Sequence, residues 1–234
     1  MVSAIIVAAG SSRRMGFDKL FAPLAGQPVL WHSLKAFSDC PEVHEILIVT
    51  REDGMDQVEA LVAAERLLKV TKVISGGKER HISVWNGLQA VNSAGSEFVA
   101  IHDGARPLTT PKLIKACLEL AKVHGAACCA SQIPDTVKRA SLERMVTESV
   151  ERTGLWAMQT PQIFSSGLIL QAYASLMANH EMVTDEVSAV QRLGKKIALL
   201  KNDDWNLKIT FPHDLELAEH VLELRAKKKA KAAK

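Results

Sequence analysis

Residues 3–16 read SAIIVAAGSSRRMG, an apolar run that passes into small residues and then two arginines. The run Ser3–Val7 is rich in Ile, Val and Ala, as buried parallel strands are. A small-residue turn directly after such a strand exposes backbone N–H groups, which can hold a phosphate chain. This stretch therefore predicts the first strand of an α/β sheet and, after its carboxyl end, an anion-binding turn.

Strand-like and helix-like segments alternate along the chain from this stretch onward. The predicted strands are Ser3–Val7, His44–Thr50, Thr71–Ile74, Phe98–His102 and Ala126–Gln132, and the predicted helices are Val29–Phe37, Asp56–Leu68, Arg80–Val91 and Pro111–His124. Such alternation predicts an α/β fold with a mostly parallel, twisted sheet and helices on both faces. We expect a single domain over residues 1–224 and a basic tail over residues 225–234.

One stretch breaks the alternation. Thr136–Arg139 and Val146–Val150 are strand-like and flank a polar segment, which predicts an inserted β-hairpin at about residues 136–152. An isolated two-stranded hairpin is only marginally stable in water. We therefore expect this hairpin to pack on a second subunit, as the arm of a homodimer.

Composition excludes several classes of protein. The chain has 234 residues, of which 47% are hydrophobic and 24% charged, and no apolar run is long enough to span a bilayer. No signal region precedes the first strand, so we expect a soluble, cytoplasmic protein without a membrane partner. The net charge is +3, much of it from Lys227–Lys231, which argues against nucleic acid as a partner. Cys40, Cys117, Cys128 and Cys129 are predicted to be buried thiols.

Polar segments follow the predicted strands, where ligands bind in open α/β sheets. After the first strand, Arg14 and Lys19 can neutralise a triphosphate, although a plain turn with solvated arginines is an equal alternative. After the third strand, Gly76 and Gly77 lead into a helix that carries Ser83. Ser83 can bind a base or ribose there, and the alternative is an ordinary glycine turn.

The segment HDGARP follows the fourth predicted strand. Packing explains poorly why Asp103 ends a buried strand with Arg106 three residues later. Asp103 can hold Mg²⁺ or a ribose hydroxyl and Arg106 a phosphate, and the alternative is a pair that ties down a loop. Further on, TDE at residues 184–186 is typical of a helix N-cap, and Lys208 falls in a predicted short strand over residues 206–210.

Taken together and in order, seven motifs resemble the 2-C-methyl-D-erythritol 4-phosphate cytidylyltransferase family of the non-mevalonate isoprenoid pathway. They are AAGSSRRM with Lys19, GGKERHISV, HDGARP, DTVKRA, ERTGLWAMQTPQ, TDEVSAV and NLKIT. The resemblance implies a Rossmann-like nucleotidyltransferase fold with the hairpin as a dimerisation arm. It also implies an Mg²⁺-dependent enzyme that transfers CMP from CTP to 2-C-methyl-D-erythritol 4-phosphate, giving 4-diphosphocytidyl-2-C-methyl-D-erythritol and pyrophosphate.

The resemblance also implies roles for individual residues. The catalytic residues are Arg14, Lys19 and Lys208. The nucleotide contacts are Ala8, Ala9, Gly10, Ser11, Ser12, Gly76, Gly77, Ser83, Asp103 and Gly104. The substrate contacts are Asp103, Arg106, Thr136, Arg152, Thr160, Thr184 and Lys208, of which Thr136 and Arg152 come from the arm. Mg²⁺ is held mainly by the CTP phosphates, with Asp103 as a further ligand.

Departures from the family pattern and rival functions complete the expectations. Ser12 stands where the family loop often has a second glycine, and the loop before Lys19 is shorter, with Asp18 where proline is usual.

The nearest alternative function is that of a pentitol-phosphate cytidylyltransferase, acting on ribitol 5-phosphate for example, which shares the nucleotide motifs. The motif ERTGLWAMQTPQ favours the methylerythritol substrate. A non-catalytic nucleotide-binding module is a third reading, but a mere binder needs no second cationic pocket.

Overall fold

The computed structural model describes residues 1–12, 14–92 and 95–232. The strands are β1 Val2–Ala8, β2 Pro23–Leu24, β3 Gln27–Pro28, β4 Val43–Thr50, β5 Val70–Ser75, β6 Phe98–Asp103, β7 Ala126–Gln132, β8 Val137–Ala140, β9 Val146–Val150, β10 Trp156–Ser165 and β11 Ala198–Lys201. The helices are α1 Val29–Ser38, α2 Met55–Ala64, α3 Arg80–Ala90, α4 Pro111–His124, α5 Ser166–Ala178, α6 Glu186–Gln191 and α7 His213–Ala232. Arg13 of the first motif lies outside the described residues.

A seven-stranded sheet in the order β11-β7-β10-β6-β1-β4-β5 forms the centre of the molecule. Its strands pair in parallel, except that β10 runs antiparallel to both of its neighbours. The chain runs outward from β1 through β4 and β5 and then returns to β6 on the other side of β1. A reversal of this kind opens a crevice outside the carboxyl ends of the two strands where it occurs, here β1 and β6.

Helices cover both faces of the sheet, as the alternation predicts. Along β1, Ile6 packs into the core cluster that contains Phe37 of α1, and Ile5 packs into the cluster that contains Tyr173 of α5. Consecutive strand residues point to opposite faces, so a strand buried on both sides is apolar throughout. The expected α/β architecture is therefore confirmed.

The helix α4 shows why sequence signals place the elements accurately. Thr110 caps its N-terminus by accepting a hydrogen bond from the Leu113 N–H at 3.2 Å, and Pro111 occupies the first turn. Gly125 ends the helix with φ +77°, a conformation that glycine adopts without steric cost. All five predicted strands and all four predicted helices are present; α2 ends earlier than expected, at Ala64.

One predicted strand needs correction, and one long strand is missing from the predictions. The missing strand is β10, which runs antiparallel to its neighbours and contains Pro161, a residue that is unfavourable inside a sheet; its register with β7 shifts between Met158 and Gln162. The predicted strand at Asn206–Thr210 is wrong: these residues form no regular secondary structure. Its backbone groups bind a loop and side chains instead of a neighbouring strand; the Ile209 N–H, for example, donates to the Ala105 carbonyl at 2.8 Å.

The predicted hairpin is present. Strands β8 and β9 form a separate two-stranded sheet in which Val137 pairs with Val150. Most of the hairpin is exposed to solvent, and so are the apolar side chains of Leu142, Met145 and Val146. Residues 136–152, the arm, therefore have little support from the rest of this chain.

The basic tail continues a helix. The helix α7 runs through residue 225 without a break, and Arg225 donates to the Leu108 carbonyl at 2.7 Å and pairs with Asp204 at 2.9 Å. Lys227–Lys231 are exposed, and residues 233–234 lie outside the described part of the chain. Across the described ranges, no helix combines the length and the apolar character that crossing a membrane requires.

Candidate active site

A cleft of about 290 Å³ opens at the crevice between the carboxyl ends of β1 and β6. Its lining comes from segments that are far apart in sequence: the turn after β1, the glycine turn before α3, the end of β6 and the segment before α7. The lining residues are Val7, Ala8, Ala9, Gly10, Ser11, Lys19, Leu20, Gly77, Lys78, Glu79, Arg80, Ser83, Asp103, Ala105 and Lys208. The structure thus brings most of the predicted nucleotide contacts, and two of the three predicted catalytic residues, to one cavity.

The irregular segment 206–211 positions the predicted catalytic cations. Lys208 belongs to this segment, and the Lys19 Nζ donates to the Ile209 carbonyl at 2.7 Å. The Arg14 guanidinium lies 5.5 Å from the centre of the Phe211 ring, at the end of the segment, within range of a cation–π contact. In a regular strand, the side chains of Lys208 and Phe211 would project from opposite faces. The irregular conformation of the segment therefore matters for the site.

The cations of the cleft repel one another. Burial lowers the pKa of Lys19, and the charges of Lys208 and Arg14 lower it further, although the nearby carboxylates of Asp103 and Asp18 offset part of the effect. Holding like charges together costs free energy in the unliganded protein. An anion that binds between these charges would reduce their repulsion, so this end of the cleft is a candidate anion site.

Asp103 is the centre of an ion network beside these cations. Its carboxylate accepts hydrogen bonds from Arg80 Nε at 3.2 Å and Lys208 Nζ at 2.8 Å, and Arg106 Nε lies 3.5 Å away. Burial alone would raise the pKa of Asp103, but the positive charges of Arg80, Lys208 and Arg106 outweigh it and hold the pKa well below its usual range. Asp103 is therefore ionised at any physiological pH.

The donor set at Asp103 does not fit a protein-held Mg²⁺. Both carboxylate oxygens already face positively charged groups, and a divalent cation placed there would be repelled by them. In the part of the chain that the structure describes, no group of three or more His, Cys, Asp or Glu side chains could hold a metal ion. The expectation that Asp103 is a metal ligand therefore finds no support in this geometry.

Glu186 is a buried member of the network that sequence reasoning missed. It is 0% exposed and accepts hydrogen bonds from Arg80 Nη1 at 2.5 Å and Arg80 Nη2 at 3.1 Å. The Tyr173 hydroxyl donates to the same carboxylate at 3.1 Å. Glu186 therefore fixes the guanidinium that in turn binds Asp103.

The sequence contains a signal that could have revealed this carboxylate. On α6, Glu186 shares the face of Ala189 and Val190, which are both buried, and a charged residue on an apolar face usually has a buried partner. The expected N-cap is present one residue earlier: Asp185 accepts a hydrogen bond from the Ser188 N–H at 3.0 Å. Thr184 is exposed and does not cap the helix.

Thr160 and His102 hold Asp103 in place through a buried chain of hydrogen bonds. The Thr160 hydroxyl accepts the Asp103 N–H at 3.1 Å and donates to His102 Nδ1 at 3.0 Å, while His102 Nε2 donates to the Arg106 carbonyl at 3.3 Å. Burial lowers the pKa of His102 to about 3, so the imidazole is neutral. Thr160 is 3% exposed and does not line the cleft, so in this structure it contributes by positioning Asp103.

We expect His102 to make the fold sensitive to acid. Its pKa is about 3 in the fold and about 6.5 in an unfolded chain, so below pH 6.5 the unfolded state binds one more proton. The free energy of unfolding should then fall with decreasing pH, by about 1.4 kcal/mol per pH unit between about pH 5.5 and about pH 4. Urea unfolding of the His102→Gln variant should show a flatter pH dependence, and His220→Gln, at an exposed position, should retain the wild-type slope. Equal slopes for wild type and His102→Gln would contradict this account.

Packing within the chain already explains two of the predicted glycine contacts. A Cβ on Gly76 would lie 2.6 Å from the Ala9 Cβ, and a Cβ on Gly104 would lie 3.0 Å from a Leu30 methyl group. The Ser83 hydroxyl is also engaged within the chain, because it accepts the Gly77 N–H at 3.1 Å. These residues shape the cleft wall, whether or not they also touch a ligand.

Several other predicted site residues do not line the cleft. Thr136, Arg152 and Thr184 are exposed at other places on the surface, and Arg152 donates to the Pro134 carbonyl next to the arm. Arg106 lies behind Asp103 and donates to the Asn206 carbonyl at 2.7 Å. The cleft of one chain therefore holds most of the predicted nucleotide contacts, with Lys19 and Lys208, without the arm.

Known proteins resemble the chain over nearly its whole length. The family model described as 2-C-methyl-D-erythritol 4-phosphate cytidylyltransferase matches residues 2–224. A relative with that name from Symbiobacterium thermophilum is 41% identical over 97% of this chain and 94% of its own, and one from Lachnospira eligens is 40% identical over 93% and 97%. The crystal structure of 4-diphosphocytidyl-2C-methyl-D-erythritol synthase from Anaerococcus prevotii has a TM-score of 0.83, with 29% identity over 95% of this chain and 96% of that one. The cytidylyltransferase structure from Thermus thermophilus has a TM-score of 0.78, with 29% identity over 94% and 98%.

Proposed function

The chain belongs to the 2-C-methyl-D-erythritol 4-phosphate cytidylyltransferase family, and on that premise we propose how its cleft carries out the reaction. It is a nucleotidyltransferase that transfers CMP from CTP to 2-C-methyl-D-erythritol 4-phosphate in isoprenoid precursor biosynthesis. One observation carries the assignment of this activity to the cleft: Lys19 and Lys208, far apart in sequence, meet at the crevice beside the glycine turn and Asp103.

The chemistry asks the protein for charge stabilisation and positioning. The second pKa of a phosphate monoester is about 6, so the substrate phosphate is largely a dianion at neutral pH and needs no general base. The obstacle is repulsion between this anion and the triphosphate. Two like unit charges repel by about 4 kcal/mol at about 4 Å with an effective dielectric constant of about 20. Cationic side chains held in place reduce that repulsion and align the attack on the α-phosphate.

The positions in the cleft support a division of roles. Lys19, assisted by Arg14, binds the triphosphate and stabilises the charge that develops on the departing pyrophosphate. Lys208 is bound to Asp103 but remains 39% exposed, so it can reach both the α-phosphate and the incoming phosphate. Asp103 keeps Lys208 in place and can accept a hydrogen bond from a substrate hydroxyl. The wall formed by the turn after β1 and by the glycine turn receives the nucleoside.

Magnesium enters this scheme with the nucleotide. We propose that the substrate is the Mg²⁺ complex of CTP, because the carboxylate of Asp103 is occupied by cations of the chain itself. When bound to the triphosphate, the ion neutralises part of its negative charge.

The arm is proposed to complete the site of a partner subunit in a homodimer. Thr136 and Arg152 lie outside the cleft of their own chain, and the apolar tip of the arm is exposed. A second copy would cover that apolar surface and bring Arg152 to the substrate phosphate.

We further propose that residues 1–224 form one domain, which the end of α7 extends. We also propose a cytoplasmic location, which suits the free thiols of the described cysteines.

A mixing experiment tests the arm. If Arg152 acts on the partner's cleft, a hybrid dimer of a Lys19→Ala chain and an Arg152→Ala chain has one complete site and one site with both defects. Random mixing should restore activity to about a quarter of the wild-type level, from two preparations that are each nearly inactive. Mixing two separate preparations of Lys19→Ala gives the baseline. No recovery after verified subunit exchange would mean that the arm serves its own chain.

Pyrophosphate release from CTP and Mg²⁺ tests the function. We expect strong release with 2-C-methyl-D-erythritol 4-phosphate and little with ribitol 5-phosphate at the same concentration. Preference for ribitol 5-phosphate would keep the triphosphate roles but overturn the acceptor. Absence of release with both, alongside measurable CTP binding, would leave a nucleotide-binding module and refute the assignment.

A further inference from the structure

The loop that carries Lys19 is tied at both ends by one side chain. Arg51 follows the end of β4, and its Nη1 donates to the Gly10 carbonyl at 3.2 Å, where the loop begins. Its Nη2 donates to Asp18 Oδ2 at 3.1 Å, where the loop ends. One guanidinium therefore sets the distance between the first and last residues of the loop, and the residue next in sequence is Lys19.

A second layer of contacts closes the same loop. The other oxygen of Asp18 accepts the Leu20 N–H at 3.0 Å, so a single carboxylate binds both Arg51 and the turn that contains Lys19. Ser12 has φ +50°, the left-handed conformation for which glycine is usual, and its hydroxyl accepts the Lys19 N–H at 3.4 Å. Ser12 and Asp18 are the two positions at which this loop departs from the family pattern. In this chain, both departures supply contacts that hold the loop.

The charges around Arg51 show that it is not free to serve as an anion ligand. Its guanidinium faces Asp18 and also Asp53, whose Oδ1 accepts from Nε at 2.9 Å. Two carboxylates thus neutralise one cation, whereas Lys19 and its cationic neighbours in the cleft repel one another. Arg51 also lines a groove on the other side of residues 11–12, outside the cleft.

We propose that Arg51 and Asp18 form a brace that holds the two ends of this loop, Gly10 and Asp18, in their CTP-binding positions before CTP arrives. Arg51 is then a positioning residue, which acts through Lys19 and does not touch the nucleotide. A loop ordered in the free protein has no ordering cost left when the ligand binds, and so the ligand binds more tightly. The proposal rests on the proposed function, because it concerns the loop assigned to the triphosphate.

A rival role for Arg51 predicts the opposite sign for one variant. If Arg51 were a triphosphate ligand held back by Asp18, Asp18→Asn would free the cation, remove a negative charge beside the phosphates and tighten CTP binding. In the brace, Asp18→Asn weakens CTP binding, as Arg51→Ala does, because both changes break the contact between the two side chains. The double variant is then no worse than either single variant.

The test measures the dissociation constant of CTP with Mg²⁺ by calorimetry for the wild type, Arg51→Ala, Asp18→Asn and the double variant. We expect each of the three variants to bind CTP about fivefold more weakly, with kcat changed less than the dissociation constant. The control is Asp39→Asn, which removes an exposed carboxylate paired with Lys35 in α1 and should leave CTP binding unchanged. Tighter binding in Asp18→Asn, or wild-type binding in both single variants, would overturn the brace.

A second readout does not depend on the function. Hydrogen exchange of the Lys19 and Leu20 amides in the ligand-free protein should be about fivefold faster in Arg51→Ala and Asp18→Asn than in the wild type. If the wild type failed to bind CTP, the proposed function would fail, and these exchange rates alone would decide on the brace. Unchanged exchange would refute it.

Discussion

Replacing Lys19 by alanine is expected to lower kcat by about 10³-fold or more and to leave the fold intact. The reason is that Lys19 is the cleft residue next to the predicted triphosphate position, and its ammonium would stabilise charge that develops only in the transition state. The same ammonium is destabilised in the free protein by burial and by the charges of Lys208 and Arg14. The variant should therefore unfold at the same urea concentration as the wild type or at a higher one.

The measurement is pyrophosphate release at saturating CTP, together with a urea unfolding curve for each protein. Lys112→Ala is the matched control, because Lys112 is exposed on α4 and does not line the cleft. Lys19→Arg keeps the charge with another geometry and should recover part of the loss. A folded Lys19→Ala enzyme with near-normal turnover would remove Lys19 from the mechanism.

The second large effect is on stability. Glu186→Gln should lower the free energy of unfolding by about 3–5 kcal/mol, because it leaves the charge of Arg80 buried without its main partner. Glu186 is fully buried and binds Arg80 through both oxygens, so the substitution weakens two charge-assisted hydrogen bonds at once. Tyr173→Phe removes only the hydroxyl that donates to the same carboxylate and should cost about 1–3 kcal/mol.

Denaturant unfolding at pH 7 tests this expectation. Glu59→Gln, an exposed substitution of the same kind on α2, should change the free energy of unfolding by less than about 0.5 kcal/mol. If Glu186→Gln were as stable as Glu59→Gln, the buried network would be structurally dispensable. If the chain with Glu186→Gln folds, its kcat should also fall, because Arg80 would no longer be fixed against Asp103.

Elements whose residues all favour one kind of secondary structure could be predicted from the sequence. Elements that depend on partners far away in the chain could not. The strand β1 is apolar except for Ser3, and α4 carries both a start and a stop signal, so each has nearly the predicted bounds. The strand β10 contains Pro161, which argues against a strand locally, yet pairing with β6 and β7 on either side stabilises it. Tertiary pairing overrode the local signal there.

The same distinction holds for the site. Motif order pointed to Lys19, Asp103 and Lys208, and the structure brings these three together at the crevice. The order of the motifs could not reveal that Glu186 binds Arg80, since 106 residues separate them and only the fold brings them into contact. Nor could it show that Thr160 is buried and binds the backbone of Asp103, because a motif gives the identity of a residue but not how deeply it is buried.

The irregular segment before α7 has a consequence for how the enzyme is made. It supplies one lysine of the site and the carbonyl that binds the other, and in the chain it follows every strand of the central sheet. A ribosome has therefore produced the whole central sheet before it produces this segment. A chain that terminates before residue 206 would contain every strand of that sheet but would lack this part of the proposed site.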